Sequence, residues 1–337
     1  MPAGVIYITL RALRCLRRPK QTVSVLKTSG RDGLLKATRQ WRRVTLTEWK
    51  YPEAVVETDW LANHLEDGDI RIFDCTTYLR YTDDDPSQPY IVESGRADYE
   101  GGHIAGAAFL DLQGELSKPD SPYRFTMPTY DDLAGRFGKK GVGDGVRVIL
   151  YSRVGMQWAT RIWWMLRSVG FDNAAILNGG WEKWDSEGKP IETGHRDYPE
   201  VSFVAAPRPE LFVGKEEVLA AIGDAGVCNL NALTADIHSG ETPRYGRRGR
   251  VPGSVNVPAV SLFNPVDKTF LPLNDVQATF DLVGAQRDQR IINYCGGGIA
   301  ATLDAFLLYQ LGYENLTVYD DSMSQWATDE SLPIETD

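Results

Sequence analysis

One cysteine in this chain is followed directly by three glycines, Cys295-Gly296-Gly297-Gly298. Cysteine offers chemistry when its sulfur is charged, because the thiolate is the nucleophile. Glycine lacks the Cβ that would keep backbone N–H groups from converging on one point. A loop of that kind, ending at a helix N-terminus, cradles a negative charge. Cys295 is therefore the candidate nucleophile. Gly296, Gly297, Gly298, Ile299 and Ala300 are the candidate cradle for an anion formed on its sulfur. The alternative is an inert buried cysteine on a glycine-tolerant turn, since free cysteine is among the most buried residue types.

The flanking elements favour the working cysteine. Ile291-Ile292-Asn293-Tyr294 reads as the end of a buried strand. From Ile299 the apolar residues Ile299, Leu303, Phe306 and Leu307 fall at helical spacing, so a helix starts there. Strand, cysteine, glycines and helix in that order give the motif its context.

The chain has 337 residues, room for two domains. Hydrophobic residues make up 42%, and no apolar run approaches the roughly 18 residues a membrane span needs, so no membrane is expected. Cys15, Cys75, Cys228 and Cys295 are too scattered for a disulfide framework or a metal cluster. That usage points to a reducing intracellular compartment. The net charge of −10 hides an asymmetry: residues 1–43 carry eleven Lys and Arg against one acid. The rest holds 25 bases and 45 acids, a balance of −20, which argues against nucleic acid as a partner. Residues 1–48 read as a basic extension, either disordered or like a transit peptide, so that bacterial cytoplasm and mitochondrial matrix both remain open.

The pattern predicts a helix over 57–65 capped by Thr58 or Asp59, a strand at Ile70–Asp74, and a polar surface loop over 82–98. A helix over 131–137, a strand over 146–151, a helix over 160–169, a strand at Ala174–Leu177 and a helix from Gly179 follow. The order then repeats. Gly170-Phe171-Asp172-Asn173 matches Gly312-Tyr313-Glu314-Asn315, and fourteen residues after each first glycine stands a tryptophan, Trp184 or Trp326. Two copies of one strand–loop–helix unit account for this, each a parallel sheet with helices on both faces. The expected division is 49–190, a proline- and charge-rich linker over 191–210, and 211–337. Ser152 stands where the second copy has Cys295, with no base in evidence to activate it, so the first copy is expected to be non-catalytic.

At this level of detail the chain resembles the two-domain rhodanese family, the thiosulfate and 3-mercaptopyruvate sulfurtransferases. The resemblance rests on Gly102-His103-Ile104-Ala105-Gly106-Ala107, Ser121-Pro122-Tyr123, Arg161-Ile162-Trp163-Trp164-Met165 and Leu177-Asn178-Gly179-Gly180 in the first copy. In the second it rests on Gly249-Arg250-Val251-Pro252-Gly253 and the Cys295 loop. It implies an α/β fold of two tandem rhodanese-like domains and a ping-pong reaction. The Cys295 thiolate would take the outer sulfur of a small anionic donor, hold it as a persulfide on the loop amides, and pass it on. The acceptor would be cyanide or a thiol, either a low-molecular-weight thiol or that of a thioredoxin-like protein. No metal or organic cofactor is implied.

Three departures from the family pattern matter. Gly297 and Ala300 replace the usual serine and threonine of the mercaptopyruvate loop, and Gly296 and Gly297 replace the Arg and Lys of the thiosulfate loop. The family's Gly-Arg-Phe/Tyr arginine falls near Asp236-Ile237-His238 and is absent. The nearest cations in sequence are Arg244, Arg247, Arg248 and Arg250. Arg247 is the first choice to hold the donor, then Arg244, with Arg250 and His238 as further candidates and His103 as a proton-transfer aid from the first domain. A loop without cationic side chains favours the mercaptopyruvate monoanion over the thiosulfate dianion. A Cys-x5-Arg phosphatase is disfavoured because the residue six after Cys295 is Ala301. A regulatory module would have little use for the cysteine, whereas a persulfide relay to a partner protein would share all its chemistry.

Overall fold

The computed structural model describes residues 48–82 and 89–337. The basic extension and Cys15 lie outside the described residues.

Two five-stranded sheets form, each with every strand parallel to its neighbours. The first runs Val55–Val56, Ala174–Leu177, Arg147–Tyr151, Ile70–Asp74, Ala108–Phe109. The second runs Phe212–Val213, Leu316–Tyr319, Arg290–Tyr294, Val227–Asn231, Val255–Asn256. Central strands such as Val148-Ile149-Leu150-Tyr151 are apolar throughout because helices cover the sheet. The two copies share small details. Asp74 pairs in register with Tyr151, and Asn231 with Tyr294. Each tyrosine hydroxyl accepts from a loop amide, Ile104 N at 3.3 Å and Val251 N at 3.2 Å. Each repeated tryptophan donates its indole N–H to a following proline carbonyl, Trp184 to Pro190 and Trp326 to Pro333.

The copies meet through the helices Gln157–Ser168 and Ala300–Gln310. Thr160 and Thr302 share a hydrogen bond of 3.0 Å between hydroxyls, and Trp163 meets Phe306 edge-on at 4.9 Å. All of Ala300–Gln310 except Ala300 and Tyr309 is buried, because this helix has its own sheet on one side and its sister helix on the other. One hydrophobic cluster runs across both copies. Among the described residues, no helix is long and apolar enough to cross a membrane.

Two expectations need correction, the loop over 82–98 and the first helix cap, and the linker gains detail. Residues 82–98 are not simply a loop: Thr77–Tyr81 and Tyr90–Ser94 form an antiparallel hairpin with Tyr81 opposite Tyr90, and the helix Arg96–Gly101 follows. The neighbouring acid- and proline-rich run obscured the alternation in Tyr90-Ile91-Val92, where Tyr90 is buried. Residues 191–210, the expected linker, pack along the first copy. Ile191–Glu192 pairs with His103–Ile104, and the Tyr198 hydroxyl accepts from Ile72 N and donates to Gly106 O. The first helix, Thr58–Ala62, is preceded by Glu57 as its cap residue, not Thr58 or Asp59. The Glu57 carboxylate accepts from Asn178 and Lys183 instead of from the helix end.

Candidate active site

The strand Arg290–Tyr294 delivers Cys295 to its C-terminal edge, and the helix Ala300–Gln310 begins five residues later. Between them the loop is pinned by the segment after Leu316–Tyr319. The Ser322 hydroxyl accepts from Cys295 N at 3.0 Å and from Gly298 N at 3.2 Å, and donates to Tyr319 O at 2.7 Å. Met323 N donates to Cys295 O, and Ser324 donates to Gly296 O from both its amide and its hydroxyl. Among the described residues, the amides of Gly296, Gly297, Ile299 and Ala300 meet no protein acceptor. These N–H groups, at the head of a helix, are the ones left to meet an anion.

Each glycine of the loop makes room for a specific neighbour. A Cβ at Gly296 would collide with the hydroxyl and ring of Tyr245. At Gly297 it would stand 3.2 Å from the Tyr90 hydroxyl. Gly298 has φ +71°, and a Cβ there would strike the carbonyl of Asp320. So the glycines also let phenol rings close around the cysteine.

The first copy holds the loop from the other side. Arg161, fully buried, donates to Gly298 O at 3.2 Å, to Phe125 O at 2.8 Å and to the Asp320 carboxylate at 2.6 Å. Asp320 also accepts from Met127 N, and Asp321 accepts from the Thr126 hydroxyl. Burial, and then the charge of Asp320, pushes the Asp321 carboxyl up to about 6. An arginine inside Arg161-Ile162-Trp163-Trp164-Met165 was the available signal, because a charge in an apolar helix run needs a partner.

Cys295 is 2% exposed and opens into a cavity of about 190 Å³. Both copies contribute walls: Tyr81, Tyr90, Phe125 and Trp158 from the first, Tyr245 and Phe263 from the second. Among the described residues lining it there is no Lys, Arg, His, Asp or Glu.

Comparison with known proteins bears on the family and the fold. The rhodanese-like domain model matches residues 57–187 and 228–329. A 3-mercaptopyruvate sulfurtransferase of Escherichia coli K12 is 32% identical over 283 residues, covering 83% of this chain and 97% of that one. Thiosulfate/3-mercaptopyruvate sulfurtransferase 2 of Arabidopsis thaliana is 29% identical, covering 84% of this chain and 86% of that one. The chain belongs to the rhodanese family. The crystal structure of SseA, described as a 3-mercaptopyruvate sulfotransferase of Escherichia coli, superposes on its two rhodanese domains with a TM-score of 0.69. That match has 30% identity and covers 80% of this chain and 98% of that one.

Within the second rhodanese domain, the structure separates the sequence candidates from the cavity. Arg247 donates to four backbone carbonyls, those of Ala327, Leu332, Trp326 and Asp329, at 2.6–3.0 Å. Its fork ties down the chain after the last helix, Ser322–Trp326, where carbonyls lack helical partners, and so is turned to scaffolding. Arg250 pairs with Glu335 and Asp337, and Arg248 donates to Glu241 O. His238 shares a hydrogen bond with Asn231, and burial together with the Arg250 charge lowers its pKa to about 4, so it is neutral at neutral pH. Its neighbours Thr234 and Ile237 line the cavity; His238 does not. Arg244 is the candidate nearest the mouth, its guanidinium 4.6 Å from the Tyr81 ring centre. His103 is 1% exposed, stacked on Tyr99 and bonded to Tyr99 O, away from the cavity.

In the first rhodanese domain the matching loop is plugged. The Ser152 hydroxyl donates to Gly155 O. Arg153, where the second domain has Gly296, lies 3.8 Å over the Trp181 ring and donates to Asp98 O and Gly102 O. Of the other described cysteines, burial raises the Cys228 pKa to about 11 and drives Cys75 well above its ordinary value, aided by Asp74.

Proposed function

We propose that this chain is a sulfurtransferase working through a persulfide on Cys295. The Cys295 thiolate attacks the outer sulfur of a small anionic donor. With thiosulfate the S–S bond breaks and sulfite leaves. With 3-mercaptopyruvate the C–S bond breaks and its electron pair goes to carbon, which takes a proton to become pyruvate. The new Cys295 persulfide anion faces the unpartnered amides of Gly296, Gly297, Ile299 and Ala300, as an oxyanion faces its hole. A thiol, or cyanide in an assay, then removes the outer sulfur. Those free amides around a nucleophile at a strand end are the observation that carries this reading. A reducing compartment, bacterial cytoplasm or mitochondrial matrix, suits a thiol that must stay free.

A cavity lining without charged groups supports mercaptopyruvate over thiosulfate, because a compact dianion loses more solvation for the same neutral surroundings. Mass spectrometry after exposure to donor should find one added sulfur on the Cys295 peptide and none on those of Cys75 and Cys228. Full turnover by a Cys295→Ser variant would end this reading. A kcat/KM for thiosulfate tenfold or more above that for mercaptopyruvate, about 1.4 kcal/mol, would reverse the choice of donor.

A further inference from the structure

We propose that the acceptor which empties Cys295 is a low-molecular-weight thiol carried on a flat, uncharged aromatic body, seated among the rings above the sulfur. This deepens the sulfurtransferase reading and rests on it. The rings form one continuous surface. Tyr90 stacks near Phe125 at 6.3 Å and 19°, and meets Tyr245 edge-on at 6.5 Å and Tyr81 at 6.1 Å. Phe125 in turn meets Trp158 edge-on at 5.6 Å. Ile237, Val260 and Phe263 close the far side from the second domain.

The polar groups of this enclosure gather at the loop amides beside Cys295, with Gln157 and Thr234, and most of the remaining wall is aromatic or aliphatic. Tyr90 and Tyr245 are held neutral, since burial raises both, Tyr90 to about 12. Away from those amides, a compact anion placed against the ring walls would be desolvated without a charged side chain in the lining to offset it. A planar apolar body instead gains burial and the edge-to-face geometry aromatic pairs prefer. The volume of about 190 Å³, room for about six waters at ~30 Å³ each, suits a single ring with a short arm. Cys295 at 2% exposure lies at the base, so an acceptor sulfur must come into the cavity to reach it. That favours a small molecule over a cysteine fixed on a folded protein surface.

The chemistry balances without an oxidant. The acceptor thiolate attacks the outer sulfur of the Cys295 persulfide, and a new S–S bond forms on the acceptor. The bond from that outer sulfur to Cys295 Sγ breaks, its electron pair returns to Sγ, and the acceptor's proton goes to solvent.

The test is single turnover on the full chain, loaded with sulfur from mercaptopyruvate and freed of donor. Release is timed to benzyl thiol, to 2-mercaptoethanol, to reduced thioredoxin and to cyanide. Benzyl thiol and 2-mercaptoethanol are alkyl thiols of similar acidity, so their difference reports the body and not the sulfur. Benzyl thiol should react at least tenfold faster than 2-mercaptoethanol. That ratio should fall at least threefold in Phe263→Ala and in Val260→Asn, the latter at a position 62% exposed where the fold does not depend on the side chain. Equal rates for the two thiols while cyanide discharges the enzyme would overturn this inference and leave the sulfurtransferase reading standing. So would thioredoxin outpacing benzyl thiol at equal concentration. Failure of every acceptor, cyanide included, would overturn both.

Discussion

The Ser322 hydroxyl stands 3.0 Å from the amide of Cys295 and accepts its hydrogen bond. The same oxygen takes the Gly298 amide, so one side chain fixes both ends of the glycine run. Ser322 does this at φ +49°, a left-handed conformation that costs a non-glycine residue on the order of 1–3 kcal/mol. The fold sustains that cost because two buried N–H groups would otherwise lack a partner.

Replacing that hydroxyl should therefore lower kcat more than it raises the donor KM. Ser322→Ala leaves two loop amides unsatisfied, at roughly 1–3 kcal/mol each, and should slow turnover at least tenfold. Ser322→Gly relaxes the backbone but still lacks the oxygen, and should fail similarly. An active glycine variant would show that backbone shape alone positions Cys295.

Gly296→Ala should be damaging because of Tyr245. The added methyl would press on the phenol, and either the ring or the loop must shift. A second change, Tyr245→Leu, clears that space and should recover part of the lost kcat/KM. The two effects should be strongly non-additive, by about 1 kcal/mol or more, as expected for residues in contact. Additive losses would mean the glycine is required for another reason.

Arg247→Ala should cost stability rather than donor binding. Four carbonyls lose a charged donor. By the worth of such bonds, about 2–4 kcal/mol of unfolding free energy should go. The KM for mercaptopyruvate should stay within about twofold. A raised KM with unchanged denaturation midpoint would return Arg247 to the donor site.

Asp321 makes a signed pH prediction. Its carboxyl is raised to about 6, above the ordinary 3.8, so between those values the folded state binds the proton more tightly than the unfolded state. Its contribution therefore weakens stability as pH rises from about 4 to about 6 and is level above that. Asp321→Asn removes the buried charge while keeping an acceptor for the Thr126 hydroxyl. The variant should be more stable than the parent at pH 7, by roughly 1–2 kcal/mol, and the gap should shrink towards pH 4. A gap that widens on acidification would contradict the assignment. Chemical denaturation of both proteins across that range decides it.

The tandem α/β organisation was legible because its signals are local: apolar runs of strand length, helical spacing after Ile299, and the twice-used glycine and tryptophan positions. The Cys295 loop stood out for the same reason, since cysteine and glycine carry their chemistry in a few adjacent residues. The surroundings were hidden because they are assembled at long range. Tyr90 reaches Cys295 from more than two hundred residues away, beside an acid- and proline-rich run that disguised its strand. Arg247 looked available because its carbonyl partners, at residues 326–332, carry no signature in the chain. Ser322 shows nothing in sequence beyond a serine after two acids; only the return of the chain beside Leu316–Tyr319 puts its oxygen under the cysteine.

The helix Ala300–Gln310, buried at all but Ala300 and Tyr309, binds the two copies into one unit. Severed from Gln157–Ser168 it would bare an apolar flank that includes Phe306, and the head of the Cys295 loop would lose Arg161 at the same stroke. The first domain is in effect the second subunit of a permanent heterodimer whose partner travels on the same chain. Such a tether sets the local concentration of one half around the other, on the order of millimolar for a short connection. Assembly of the working site is thereby independent of how much protein is present, and dilution, which dissociates a two-chain enzyme, has no purchase on this one.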